Sequence, residues 1–264
     1  MRHPFRSRIL SVLGISSFAF LLSFTAAPAA FAQAEHAPHW DYSGADGPSH
    51  WADLDPSFAT CKTGKQQSPI DIKGAKNDPA LLPLQIDYKP SPLRVLDNGH
   101  TIRVNFEPGS SITVNGTAYM LSQFHFHKPS EEEINGKKYA MVIHLVNERS
   151  GGAAVIALLV KESAANPTVQ KVWDNIPKEK NKENLISSVT IDAAGLLPAD
   201  QNYYNFDGSL TIPPCGESVN WFVMKTPIEM SAAQIAAFAK LYPMNARPIQ
   251  PTNGREIKES AFTK

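Results

Sequence analysis

Cysteine is nearly absent. The 264-residue chain has two, which excludes a disulfide-dense scaffold and a four-thiolate zinc site. Net charge is absent too, with 25 Lys and Arg against 25 Asp and Glu. No excess of positive charge therefore points to nucleic acid or an anionic membrane as partner. Beyond the start of the chain, no apolar run is long enough to cross a bilayer. Between Trp40 and Lys264 there is neither an internal repeat nor a low-complexity linker, and the 21 prolines are spread along the chain. These absences leave a globular chain whose substrate can be small and uncharged.

The start of the chain reads as an export signal over residues 1–32, with the folded domain over 33–264. Arg2, Arg6 and Arg8 form a basic start, an apolar run follows from Ile9 to Phe24, and Ala30-Phe31-Ala32 is a small-x-small cleavage site. The run is short and interrupted by Ser and Gly, so an uncleaved anchor is the weaker reading. The mature protein is then expected outside the cytoplasm, periplasmic or secreted, without membrane insertion. In that compartment Cys61 and Cys215 read as one disulfide, the alternative being two buried thiols.

Short alternating runs dominate the rest. Thr101 to Phe106 alternates polar and apolar residues, as does Ser111 to Val114. Phe124 to His127, Met141 to Val146, Ala153 to Val160 and Val219 to Met224 read as further strands. Turn residues separate them, as at Asp97-Asn98-Gly99, Asn115-Gly116 and Asn135-Gly136. Ser231-Ala232-Ala233-Gln234 is a capping box for an Ala-rich helix ending near Leu241, and a second helix is expected over Pro167 to Asn175. The pattern predicts a mainly β single domain with small peripheral helices, and the tight turns favour antiparallel pairing.

Chemistry concentrates at three histidines. His125 and His127 stand two apart in an apolar run, so strand periodicity puts both on one face. His144 lies on the next predicted strand, and antiparallel pairing brings it back beside them. Three imidazoles from adjacent strands can hold Zn²⁺ and leave its fourth tetrahedral position free, the mark of a catalytic site.

The surrounding residues resemble the alpha-class carbonic anhydrases. Gln123-Phe124-His125-Phe126-His127, Pro129-Ser130-Glu131 and His144-Leu145-Val146 carry the likeness. Upstream stand Trp40-x-Tyr42, Gln67-Ser68-Pro69-Ile70-Asp71-Ile72 and Asn98-Gly99-His100. Downstream stand Gly208-Ser209-Leu210-Thr211-Ile212-Pro213-Pro214-Cys215, Trp221 and Asn245-x-Arg247-Pro248-x-Gln250-Pro251. The blocks follow in order over nearly the whole mature chain. The resemblance implies a twisted, mostly antiparallel central sheet of about ten strands and a disulfide between Cys61 and Cys215. It also implies reversible hydration of carbon dioxide to bicarbonate by zinc-bound hydroxide.

Roles follow from the same resemblance. His125, His127 and His144 would be the zinc ligands. Thr211 would orient the hydroxide and pass its own proton to Glu131. The Pro129-Ser130-Glu131 spacing selects that acid, and Glu132 and Glu133 are then expected on a solvated turn. Gln123 would orient His125, and a backbone carbonyl near Asn245 would do so for His127. His100 matches the proton shuttle, with Tyr42, Gln67 and Asn98 along its water chain. Val146, Val155, Leu210 and Trp221 match the apolar wall of the substrate pocket.

Four positions depart from the family pattern. Val142 stands where a glutamate usually supports the third histidine, which predicts looser zinc and slower zinc loss in Val142→Glu. Ile212 replaces a small or polar residue and narrows the pocket. Phe206 replaces a common tyrosine, and Glu132 a frequent histidine. Two other readings compete. His125-x-His127-x-x-x-Glu131 also resembles a cupin metal motif, although no glycine follows at the cupin spacing. A non-catalytic binding module on the same fold is the other, although such relatives usually lack a ligand histidine.

Overall fold

The computed structural model describes residues 38–262. The expected export signal lies outside them. Among the described residues, thirteen strands form one twisted, mixed sheet. Ten follow one another across it: Glu183–Ile191, Ser91–Asp97, Ile102–Asn105, Thr117–His127, Met141–Arg149, Gly152–Glu162, Val219–Met224, Tyr203–Gly208, Lys258–Glu259 and Lys76–Asn77. Three short strands attach beside this path.

The sheet's centre is built from hairpins. Asn115 and Gly116 take φ of 47° and 77° and turn Ser111–Val114 into Thr117–His127. Both positions need the left-handed region, which Asn and Gly tolerate best. Met141–Arg149 and Gly152–Glu162 do not alternate in burial, because each has seven consecutive buried residues. Side chains cover both faces of the sheet there. Phe124, Phe126, Ile143, Leu145, Ile156 and Leu158 pack in the larger cluster. Val142, Val146, Val155, Leu159, Trp221 and Val223 pack in a second one. The members of each cluster are two or four residues apart along a strand, so the clusters mark opposite faces.

Not every pair is antiparallel. Gly152–Glu162 runs parallel to Val219–Met224 and to Ile228–Met230. After Glu162 the chain passes through a helix and the Glu183–Ile191 edge strand before returning. A strand re-entering after so long an excursion is freed from hairpin geometry.

The capped helix forms over Ala232–Leu241, with Ser231 and Gln234 closing the capping box. The other spans Pro167–Trp173, and the Asn166 side chain caps it by accepting from the N–H groups of Thr168 and Val169. It stops two residues short of the expected end. Cys61 and Cys215 are bonded across a separation of 154 residues, and beside the bridge Trp51 is fully buried against Tyr42.

Candidate metal centre

Pairing between Thr117–His127 and Met141–Arg149 sets His125 directly opposite His144 and His127 opposite Val142. The three imidazoles share one face of the sheet, and a ligand atom from each lies within 4.8 Å of the others. His127 and His144 are 1 % exposed, whereas His125 opens partly to the cleft.

Each ring is held by its outer nitrogen. His125 Nδ1 donates to Gln123 Oε1 at 2.8 Å, and His127 Nδ1 to the Asn245 backbone carbonyl at 2.7 Å. His144 Nε2 lies 3.1 and 3.3 Å from the two carboxylate oxygens of Glu132. All three partners are acceptors, so the proton resides on the outer nitrogen and the inner one carries the lone pair. The inner atoms are Nε2 of His125, Nε2 of His127 and Nδ1 of His144. His127 Nε2 is buried with no hydrogen-bond partner, an arrangement that a cation relieves. Burial, with the neighbouring imidazoles, holds His125 and His127 well below the usual histidine range. At neutral pH they are uncharged, as a metal requires. The donor set thus fits a small divalent ion of borderline softness.

Glu131 is fully buried beside this group. Its Oε1 accepts the Arg247 backbone N–H at 2.8 Å, and its Oε2 lies 3.4 Å from His127 Nε2. Burial pushes its carboxyl up to about 7, while Thr211 and the Arg247 N–H favour the ionised form. Thr211 is 5 % exposed.

Glu132 corrects the reading of the triple acid as one functional residue followed by two solvated ones. It is fully buried, and its carboxylate brackets the far side of the His144 ring. Glu133 is half-buried and pairs with Lys138 at 3.7 Å. The expected looseness at Val142 loses its ground, because His144 already has a carboxylate partner. Adding one at Val142 would set two anions against a single N–H.

His100 sits in the cleft that leads to His125, together with Asn98, Tyr42, Arg103 and Ile212. Asn98 Oδ1 accepts from the backbone N–H groups of His100 and Thr101 and so fixes the turn. Trp40 stacks on the His100 ring, with centroids 3.8 Å apart and planes 8° from parallel. Burial lowers the pKa of His100. Gln67 is buried: its amide nitrogen donates to the Cys215 carbonyl and Glu217, and its oxygen accepts from Arg247 Nη1. Val146, Val155, Leu210 and Trp221 pack together in the second cluster, where Trp221 meets the His144 ring edge-on at 4.9 Å. Phe206 stacks on Trp221 from behind.

Three features escaped sequence reasoning. The Glu132 contact has no local signal in a run of three acids. The Trp40 stack spans sixty residues. Arg103, whose Nε is buried and unpartnered, sits opposite His125 on the neighbouring strand, and alternation alone showed only its face.

Comparison with known proteins gives the same outline. The family described as eukaryotic-type carbonic anhydrase matches residues 46–261. The chain belongs to the alpha-class carbonic anhydrase family. A carbonic anhydrase of a Nostoc species is 40 % identical over 261 residues, covering 97 % of this chain and 98 % of that protein. The carbonic anhydrase of Pectobacterium carotovorum is 44 % identical over 86 % of this chain and 93 % of its own length. Among solved structures, the alpha-carbonic anhydrase of Thermovibrio ammonificans in complex with sulfanilamide superposes with a TM-score of 0.81 at 41 % identity. It covers 84 % of this chain and 100 % of that one. Membership in this family implies carbon dioxide and bicarbonate as substrate and product. No described helix is long and apolar enough to cross a membrane.

Proposed function

We propose that this chain is an exported zinc enzyme that hydrates carbon dioxide to bicarbonate and releases the proton through His100. The observation that carries the reading is the trio of converging imidazoles, two buried and one open to the cleft, each with its outer nitrogen engaged and its inner one turned to the others. His125 Nε2, His127 Nε2 and His144 Nδ1 would hold the ion. Bound there, zinc would supply an activated water as nucleophile near neutral pH, an effect for which carbonic anhydrases are the usual example.

The chain's own residues supply the rest. Thr211 directs its hydroxyl proton to Glu131 and leaves its oxygen as an acceptor, which orients the attacking oxygen. The Arg247 N–H anchors Glu131 Oε1, and the buried Oε2, which has no other hydrogen-bond partner, is left to receive the Thr211 proton. Carbon dioxide is apolar, and the Val146, Val155, Leu210 and Trp221 cluster offers it a dry wall. Ile212 adds an aliphatic side chain at the cleft. The product proton must leave on each turnover, and His100 takes it on a ring nitrogen and hands it to buffer. Tyr42 and Asn98 line that route. The Cys61–Cys215 bridge favours an oxidising compartment, in keeping with export.

Stopped-flow hydration of carbon dioxide tests the reading. The zinc-loaded protein should show saturable turnover, and His125→Ala should abolish it. A zinc-loaded chain no faster than buffer would leave a binding module on this fold.

A further inference from the structure

The strand that carries His144 brings no carboxylate to it. Two residues earlier on the same face is Val142, fully buried with Ile70, Ile72 and Leu159. The carboxylate arrives instead from the connecting segment. The backbone there is held on both sides of Glu132. Ser130 Oγ donates to the Glu132 carbonyl at 2.8 Å and accepts the Tyr139 N–H at 2.9 Å. The Glu133 N–H donates to the Ile70 carbonyl, and Glu133–Ile134 pairs with Asp71–Ile72. Two consecutive acids, Glu131 and Glu132, therefore flank one imidazole. Glu131 Oε2 lies 3.8 Å from His144 Nδ1, and Glu132 lies against Nε2.

We propose that Glu132 is a positioning residue for the metal ligand His144. It accepts the Nε2 proton, fixes the tautomer with the lone pair on Nδ1, and strengthens that nitrogen as a donor. The strand position from which the family resemblance implies a carboxylate is Val142, and the loop supplies the carboxylate instead. This role rests on the metal-centre reading above. Losing such a partner costs about 10–100-fold in metal affinity or activity.

The test is the rate at which zinc passes from the loaded protein to a coloured chelator. E132A should lose zinc about 10–100-fold faster than wild type. E132Q should fall between, since an amide oxygen still accepts the N–H but without charge. The double variant E132A/V142E should recover retention, because a carboxylate at 142 shares the face of His144. A packing role for Glu132 would give no such rescue. Zinc loss at the wild-type rate in E132A, or a double variant no better than E132A, overturns the proposal. If E132A does not fold, wild-type zinc loss in E132Q overturns it alone. A wild-type chain that holds no zinc would sink the metal-centre reading instead.

Discussion

Removing the Cys61–Cys215 bridge should destabilise the fold by several kcal/mol and loosen the site at the same time. The bridge closes a loop across 154 residues. In the chain-entropy treatment a loop of that length constrains the unfolded chain by about 5 kcal/mol at 25 °C, an upper figure. Losing a native disulfide commonly costs about 2–5 kcal/mol. For a domain of this size each kcal/mol moves the melting temperature by roughly 2–4 °C, so Cys61→Ser/Cys215→Ser should melt about 4–20 °C lower. The loss reaches the metal centre by a traceable route. The Cys61 carbonyl accepts from Arg247 Nη2 at 3.0 Å, and the Cys215 carbonyl accepts from Gln67 Nε2 at 3.0 Å. Gln67 in turn accepts from Arg247 Nη1, and the Arg247 N–H holds Glu131. Calorimetry of the metal-free double variant beside metal-free wild type isolates the chain effect from metal binding. A melting temperature within a degree of wild type would refute the reasoning.

Three further outcomes follow from the cleft and the sheet edge. His100→Ala should slow turnover in weak buffer, with added imidazole restoring it; a wild-type rate in weak buffer would rule out the shuttle. Trp40→Ala removes the stack that helps bury His100, so the lowered pKa of the ring should rise toward its ordinary value of about 6.5. The neutral ring accepts the proton, so the acid limb of the kcat profile should shift to higher pH, and an unmoved limb would contradict the burial argument. Glu183 receives Arg94 Nη2 at 2.6 Å and Asn105 Nδ2 at 2.5 Å, and the Arg94 bonds hold its carboxyl below the usual range. A depressed folded-state pKa stabilises above the unfolded value of about 4.3 and is lost as pH falls through the folded one. Because the pair is partly exposed, Glu183→Gln should cost about 0.2–1 kcal/mol at pH 7 in urea unfolding, and the difference should fade as pH falls through the lowered carboxyl pKa.

The histidine face was legible in the sequence because its signal is local. A two-residue spacing fixes His125 and His127 on one side, and the connection through Glu133–Ile134 returns His144 beside them on the adjacent antiparallel strand. Ser111–Val114 and Val219–Met224 were legible for the same reason, since alternation or a compact apolar run reports burial directly. The Glu183–Ile191 strand was not, because its side chains are mostly exposed or half-buried and carry no apolar rhythm. The parallel pairing of Gly152–Glu162 with Val219–Met224 joins segments some sixty residues apart, and no local pattern encodes which distant strand will be the neighbour. Glu132 shows the limit most sharply. Three adjacent acids look like a solvated turn until Ser130 and the Asp71–Ile72 strand pin the backbone and fold one carboxylate onto His144.

The proposed function requires His125, His127 and His144 together to hold one zinc ion at which carbon dioxide is hydrated. Adding zinc stepwise to the metal-free protein, while following carbon dioxide hydration by stopped flow, tests it most directly. Activity should climb in proportion to bound zinc and level off at one ion per chain. Full activity without metal, or a fully loaded chain that leaves the uncatalysed rate unchanged, would contradict it.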